Sequence, residues 1–508
     1  MRSLGRYGPA APVAPEVVSA HAPPWEQLPT PAELDGGIMK YGKTHSDPGS
    51  RATRYSSGDF SPDPFYDRQP GQNPYTELGI YGDKAMQRTQ QPLLQFGLPI
   101  YPTGPIPPSG DCFGPTNLVQ PKFYVYGDFR TAVAQNKNVG NEQTVTANRL
   151  NLEIDFWLTA TERFHMFWGP LDERNQFTGV VYDDGLSLRQ DHFDGWDQRT
   201  DTMYFEGDLG YILGGLRGIE APFDLPFAAG LIPLFLQNGI WIDDAFVGAA
   251  ATIPARNSPW RDWSNYDITF FAGFDEITSA AFGGDNRAAN IFGATTFIER
   301  RGGYIELGYA FLDDQENLDR QYHNIAVSYT RRYLNLLSNS ARVLVNTGQD
   351  GPRSQRSADG VLLLLENSFL TRMPYNVIPY ANFFAGFGTP QSAARLVGPL
   401  KNTGINFETD LLTGYPLLDD SANNTWGGAF GVDLLGHDFR QQLILEFAFL
   451  ETHEDPSETI APGDQYALGL RYQKPLNHTL IFRFDAMHGW LENSPDIFGI
   501  RTELRKKF

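Results

Sequence analysis

From Lys122 to the end of the chain, apolar and polar residues alternate in short runs. In NLEIDFWL, Leu152, Ile154, Phe156 and Leu158 share one face, while Asn151, Glu153 and Asp155 share the other. YIELGYAF sets Ile305, Leu307, Tyr309 and Phe311 against Glu306, Gly308 and Ala310. LILEFAF sets Leu443, Leu445, Phe447 and Phe449 against Ile444, Glu446 and Ala448. In YALGLRY the outer row is Tyr466, Leu468, Leu470 and Tyr472, and in LIFRFDAM it is Leu480, Phe482 and Phe484. Successive strand side chains point to opposite faces, so each run predicts a strand with one oily and one polar side.

Such runs recur near 122–133, 147–159, 163–170, 203–215, 225–236, 240–253, 267–274, 289–299, 303–312, 322–333, 337–347, 360–371, 376–387, 425–435, 441–450, 464–474, 478–490 and 496–508. That is about 18 strands, an even number, as a single-chain bacterial barrel requires. The breaks alternate in length. ATER, RRGG, YLNL, RMPYN and KPLNH are short, whereas LDDQENLDRQ, 347–359, 388–424 and ETHEDPSETIAPGD are long. Short turns on one side and long external loops on the other are the barrel arrangement. The region 216–266 fits worst, because Pro226 and Pro233 lack a ladder donor inside a predicted strand. There the connection around QNG is short and the next one long, against the trend.

An antiparallel sheet with one wet face gives the same alternation. Composition decides for a membrane barrel. Aromatic residues make up 13% and gather near the ends of the oily rows, as interfacial girdles do. The opposite faces carry Gly, Ala, Asn and charge, which suits a water-filled lumen. Mean hydropathy is −0.36 and there is no apolar run of about 18 residues, which excludes a helical membrane protein. The expected fold is therefore all-β: a closed antiparallel transmembrane barrel over 121–508. Residues 1–120, rich in Pro and Gly, form an N-terminal extension that is disordered or a partial plug. MRSLGRYGPAAPVAPEVV contains no apolar signal core, so the expectation of export implies a mature or truncated start.

Net charge of −20 argues against nucleic acid as a partner. Cys112 is the lone cysteine, which excludes an internal disulfide, a cysteine zinc cluster and CxxCH haem attachment. The sequence lacks GxSxG, HExxH and GxxxxGK[ST], so the expectation is no enzyme and no cofactor. Asp183, Asp184, Asp191, Asp194, Asp197 and Asp201 crowd one segment, but their spacing is not that of an EF-hand and a solvated external loop accounts for them. Asp243 and Asp244, with Asp313, Asp314 and Glu316, read the same way, and no metal site is expected.

With the oily rows toward lipid, the lumen face bears Glu153, Asp155, Glu206, Asp208, Glu306, Glu366, Asp433, Glu446, Asp485 and Glu503, against Arg342, Arg471, Arg483, Arg501, Arg505 and Lys507. Strand charges need water or partners, which a wet lumen supplies. Ten acids against six bases predict a modest cation preference.

The chain ends DIFGIRTELRKKF, with Phe498, Ile500, Thr502, Leu504, Lys506 and Phe508 on one face. This resembles the C-terminal sorting signal of bacterial outer-membrane proteins, with Phe508 as its last residue. RLNLEIDFWLTATERFHMFWGPL is similar to the early hairpin of large porin-like barrels, and LPFAAGLIPLFLQNGIWIDDAF to a later strand and loop of that group. Over residues 120–508 the chain loosely resembles the alginate-export type of 18-stranded barrel. That resemblance implies a Gram-negative outer-membrane location, transport of small polar solutes or ions, and outer-membrane lipid and the barrel-assembly machinery as partners. A dedicated oligosaccharide or polysaccharide channel stays open, as do a barrel enzyme, a surface or structural barrel, a sheath for multihaem partners and a soluble secreted β-protein. Solute, gating and oligomeric state are not legible.

Overall fold

The structure is a computed structural model that describes residues 91–100 and 109–508, apart from short stretches at 174–175, 184–186, 194, 284, 335, 353–354, 371–376, 437–440 and 455–457. The chain starts with β1 (Leu94–Gly97), β2 (Lys122–Asn138), β3 (Asn141–Trp157), β4 (Arg163–Trp168), β5 (Asp172–Glu173), β6 (Gln176–Asp183), β7 (Leu188–His192) and β8 (Thr202–Asp208). One helix, α1 (Leu209–Arg217), precedes β9 (Pro226–Leu236), β10 (Ile242–Ser258), β11 (Trp263–Asp275), β12 (Ala289–Arg300), β13 (Gly303–Asp314), β14 (Tyr322–Tyr333) and β15 (Leu337–Thr347). Then come β16 (Asp359–Phe369), β17 (Val377–Thr389), β18 (Ala394–Arg395), β19 (Thr425–Leu435), β20 (Gln442–Thr452), β21 (Gln465–Pro475), β22 (Leu480–Leu491) and β23 (Ile497–Lys507).

These elements form a closed 18-strand antiparallel transmembrane β-barrel. β4 with β6 makes the third strand of the ring, because both pair with β3; β7 with β8 makes the fourth. The ring closes where β2 meets β23, from Asp128 opposite Lys507 to Lys137 opposite Phe498. Phe508 completes the closure, exchanging backbone hydrogen bonds with Gly127 at 2.9 and 3.0 Å. One end carries short turns (259–262, 301–302, 334–336, 476–479), and the other carries the long connections.

Side-chain exposure follows the alternation. On β20, Leu445 and Phe447 are each 41% exposed and point outward, while Glu446 between them is 3% exposed and points inward. On β14, Ile325 and Val327 face out, and Asn324, Ala326 and Ser328 are buried inside. Oily rows outside and polar residues inside are what a hydrocarbon environment demands, since closure satisfies the backbone and leaves apolar side chains against lipid.

Four expectations need correction. The strand expected over 203–215 stops at Asp208, and Leu209–Arg217 is helical. Asp208 caps the helix by accepting from the Tyr211 amide at 3.1 Å, and Gly218 ends it in the left-handed conformation at φ 66°. The acid-rich segment expected as an external loop instead contains β7 and then an irregular stretch, 195–201, inside the fourth strand. The misfit at 216–266 disappears, because β10 runs on to Ser258 and β11 begins at Trp263, which makes that connection a short turn. Pro226 opens β9, where no ladder precedes it, and Pro233 lies where β9 pairs with β10 alone. Finally, the long connection 390–424 does not stand outside the barrel; it folds inward.

The expectations for residues 1–90 and 101–108 lie outside the described residues. Of the rest of that segment, β1 pairs with Lys122–Val125 of β2, and Asn117 donates to Glu162 at 2.8 Å at the short-turn end.

The outward row predicts a sharp asymmetry. Phe447→Arg should cost about 2–4 kcal/mol of barrel stability if the site lies at mid-membrane, whereas Arg483→Gln on the inner face should leave the folded band intact on an unheated gel. A heat-modifiable gel shift after refolding into bilayers measures both, and equal damage from the two would invert the assignment of faces.

Candidate functional site

The barrel interior is shaped by the loop 390–424. It enters beside β10: Ser392 Oγ donates to Ile240 O at 2.6 Å, and the Ala393 amide to Trp241 O at 2.9 Å. β18 then adds in parallel to Ile242–Asp243. Asn324 and Asn346, from β14 and β15, each donate to Gln391 O, at 2.9 and 3.0 Å. Inward polar side chains on the wall thus serve a backbone that would otherwise be buried without partners.

Glu446 holds the middle of the loop. Its carboxylate accepts from the amides of Ile405 and Asn406 and from Asn406 Nδ2, each at 2.9 Å, and from Tyr380 OH at 2.5 Å. Phe407, next in sequence, is fully buried and meets Phe384 edge-on, with ring centroids 5.6 Å apart. Small wall residues make room. A Cβ on Gly469 would sit 2.4 Å from Asn406 Oδ1, and one on Gly499 2.7 Å from both Tyr415 and Pro416. The inward Gly and Ala of these strands therefore face packed protein over part of the wall, where the sequence predicts water.

Beyond Phe407 the loop meets charge. Asp485 accepts from Arg471 Nε at 2.7 Å, Arg483 Nε at 2.8 Å and Arg501 Nη2 at 2.8 Å. The loop contributes Glu408, 2.5 Å from Arg471 and 3.5 Å from Arg483, and Asp410, 2.6 Å from Arg501. Three guanidinium groups thus face these three carboxylates, with Glu503 a fourth acid beside Arg483 and Arg501. Asp485 and Arg501 are only 3% and 2% exposed. Desolvated charges of this kind are tolerable only when every partner is present. At its far end the loop reaches β2, where Asn136 Nδ2 donates to Thr413 O at 2.7 Å.

Among the described residues, no hydrogen bond or ion pair joins the loop to β4, β8 or β9. That part of the wall carries its own polar cluster. Asp155 contacts His165 Nδ1 at 2.7 Å and accepts from Tyr126 OH at 2.9 Å and Arg163 Nη1 at 3.1 Å. Glu153 takes the other His165 nitrogen at 2.9 Å, and Glu206 takes Arg163 Nε at 2.7 Å. Higher up, Arg149 lies 3.6 Å from Asp172 and 3.8 Å from Asp201.

The residues expected to line the pore fall into separate groups. Arg471, Arg483, Asp485 and Arg501 meet in the central network, with Glu503 opposite Arg483 in the β22–β23 register. Glu153, Asp155 and Glu206 meet on the neighbouring wall, which β2 alone separates from the network. Glu366 pairs with Arg342 at 2.9 Å, and Glu306 accepts from Ser328 Oγ at 2.8 Å. Glu446 serves the loop, and Asp208 serves the helix cap. Arg505 binds Asp128 at 2.7 Å, and Asp433 accepts from Gln442 at 2.8 Å. Sequence reasoning missed Glu408, Asp410 and Tyr380. The signal was present in the loop, whose Leu400, Ile405, Phe407, Leu412, Tyr415 and Leu418 are too apolar for a solvated connection.

No family model matches this chain, and no curated protein matches it. Solved structures similar to it include OccK5 (OpdH) of Pseudomonas aeruginosa, at 12% identity over 76% of this chain and 98% of that one, with a TM-score of 0.49. OccK11 (OpdR) of the same organism has 9% identity over 76% and 96%, with a TM-score of 0.48. Escherichia coli Wzi, an outer-membrane protein described as a carbohydrate-binding β-barrel involved in group 1 capsule assembly, has 10% identity over 75% and 84%, with a TM-score of 0.44. At this distance the functional reading rests on the geometry of this chain.

Arg501→Ala would leave Asp485 and Asp410 short of a partner, at a cost of about 3–5 kcal/mol. Limited proteolysis should then cut within 390–424 while the barrel stays folded on an unheated gel; a loop as resistant as in the parent chain would show that the network does not hold it.

Loop docking should also depend on pH. Burial, with Asp419 beside it, pushes the Asp420 carboxyl up to about 6. The docked loop therefore binds this proton more tightly than free chain does, and docking strengthens as pH falls from about 6 toward the free value of 3.8. Burial also acts on Asp410, but Arg501 outweighs it and holds that carboxyl below its ordinary value. Protonating Asp410 at still lower pH removes the Arg501 pair and weakens docking. Protection from hydrogen exchange across 390–424, corrected for the intrinsic pH dependence of amide exchange, should be greatest near pH ~4, and greatest protection at pH 8 would contradict the assignment.

Proposed function

We propose that the protein is a bacterial outer-membrane channel for small polar solutes or ions, with its long-loop end outside the cell and its passage running between the inward-folded loop and the wall of β3, β4 and β8. The observation that carries this reading is the uneven filling of the barrel. An apolar outer surface encloses an interior in which the loop is bound by polar contacts to strands from β10 round to β2 and packs Leu412 on Val145 and Ala147 of β3, beside a stretch of wall lined by Glu153, Asp155, Arg163, His165 and Glu206. The charged side chains on that wall pair with one another, yet Glu153 and Glu206 keep 31% and 32% of their side chains exposed, so the strip beside them is wet, and a hydrated strip through a closed barrel is a conduit.

The loop makes the passage narrow and selective rather than wide. The central arginines are neutralised by Asp485, Glu408 and Asp410, so they contribute little net field. On the open wall Glu153, Asp155, Glu206, Asp172, Asp201 and Asp128 stand against Arg163, Arg149, Arg130 and Arg505, with His165 held between two acids. That balance favours cations modestly. The inward rings of Tyr126, Tyr204 and Phe167 support a second reading, an oligosaccharide path, because sugars lie on aromatic faces.

In planar bilayers, a salt gradient should give a small cation-selective reversal potential that shrinks at high salt. Replacing Glu153 and Glu206 with Gln should move it toward zero. Anion selectivity in the parent protein would overturn the assignment of the path, and absence of conductance would overturn the channel.

A further inference from the structure

The barrel wall is not uniformly zipped. β8 pairs with β9 only from Asp208 opposite Pro226 to Met203 opposite Leu231. β9 continues to Leu236 on its other side, against Ile242 of β10. Among the described residues, Ile232–Leu236 therefore have a ladder partner on one side only. Continuing the register would place 198–202 opposite them, but the backbone there turns toward the third strand. The Asp201 amide donates to Phe167 O and the Asp197 amide to Pro170 O, each at 3.0 Å, and Trp168 Nε1 donates to Asp197 O at 2.6 Å. The result is a seam five residues long. At about 3.4 Å per residue it runs roughly 17 Å, comparable with one leaflet of the hydrocarbon core.

An unpaired strand edge is the feature that transmembrane barrels avoid, because lipid offers no hydrogen bonds. The edge itself is apolar, with Ile232 buried and Leu234 and Leu236 packed on the core, and the stretch that faces it is polar. Pro233, with no N–H to leave unpaired, sits in the edge. Gln198 and Arg199 on the facing stretch are exposed. Around them stand Phe193, Trp196 and Phe235, which are 70%, 65% and 61% exposed. At the inner mouth Arg149 reaches Asp201, and its buried Nε makes no hydrogen bond among the described residues but pairs with Asp172 at 3.6 Å. Its guanidinium lies over Phe177, 5.3 Å from the ring centroid. The seam thus joins a polar lumen station to an aromatic rim facing the membrane.

We propose that this seam is a lateral opening through which amphipathic molecules with one apolar tail pass between the lumen and the outer leaflet, the polar head in the Arg149 station and the tail between Phe235 and Trp196. An added β-strand is the other occupant such an edge takes, but Pro233 interrupts the donors and 198–202 already lies alongside. The inference rests on the channel reading, since the head must reach a hydrated lumen.

Continuing the register sets Thr200 opposite Leu234. In a Cys112→Ser background, Thr200→Cys with Leu234→Cys closes the seam by a disulfide, or by a short bifunctional thiol reagent. The full chain is reconstituted in liposomes, and transfer of a fluorescent lysophosphatidylcholine is followed alongside ion conductance. Closure should slow lipid transfer about tenfold, because the head then has to cross bare hydrocarbon, with recovery on reduction and with conductance unchanged. Conductance with equal transfer in the open and closed states, or with no transfer in either, overturns the lateral opening. Loss of conductance in the reduced protein would instead count against the channel. As a second measure, a charged thiosulfonate should label Leu234→Cys much faster than Phe447→Cys, and equal rates would show a sealed wall.

Discussion

The ion cluster around Asp485 is the constraint on which the interior depends. Arg471, Arg483 and Arg501 come from three neighbouring strands and point at one carboxylate, which cannot neutralise them alone. Glu408 and Asp410 supply the missing charge only when the loop lies inside the barrel. Glu446 poses the same demand from a different side: its oxygens are buried, and apart from Tyr380 OH the donors that satisfy them come from the loop. The wall and the loop are therefore each incomplete without the other, which is why a long connection leaves water for the lumen. Hydrophobic burial of Leu400, Phe407 and Leu418 adds to the drive but does not specify the position.

The fold was largely legible in the chain because the requirement that produces it is local. A strand between lipid and lumen must alternate, and the runs at 322–333, 337–347 and 425–435 coincide with β14, β15 and β19. What stayed hidden was non-local. Nothing near Glu446 in sequence tells that its partners are Ile405 and Asn406, and Asp485 reads like any lumen acid until the loop is placed. The helix after Asp208 was missed although an Asp cap and a Gly stop bracket it, since the alternation of YFEGDLGYIL imitates a strand. The split of the fourth strand was missed for a similar reason: the acids of 183–201 look solvated, and the short β7 among them is visible only through its pairing with β6.

Pro233 illustrates how a local violation carries information. As a residue inside a predicted strand it counted against the barrel. In the structure it lies where the ladder has a single partner, so the misfit marks the irregular part of the wall instead of an error in counting strands. The two halves of the interior differ in the same spirit. From β10 round to β2 the wall is dressed by protein, and its glycines are contact sites; on β3, β4 and β8 it carries charges that satisfy one another.

The glycines under the loop have a consequence for how the barrel is built. Gly469 admits Asn406 and Gly499 admits Tyr415, and these positions lie on different strands. A slip of one residue in either strand would turn a side chain toward the loop and its glycine toward lipid. The loop can therefore seat only on a correctly registered sheet, so it works as an internal gauge. Strand pairings that satisfy the backbone but miss the register would leave the gauge unseated and its apolar side chains exposed, and a misassembled barrel would be told apart from a finished one by the state of its interior.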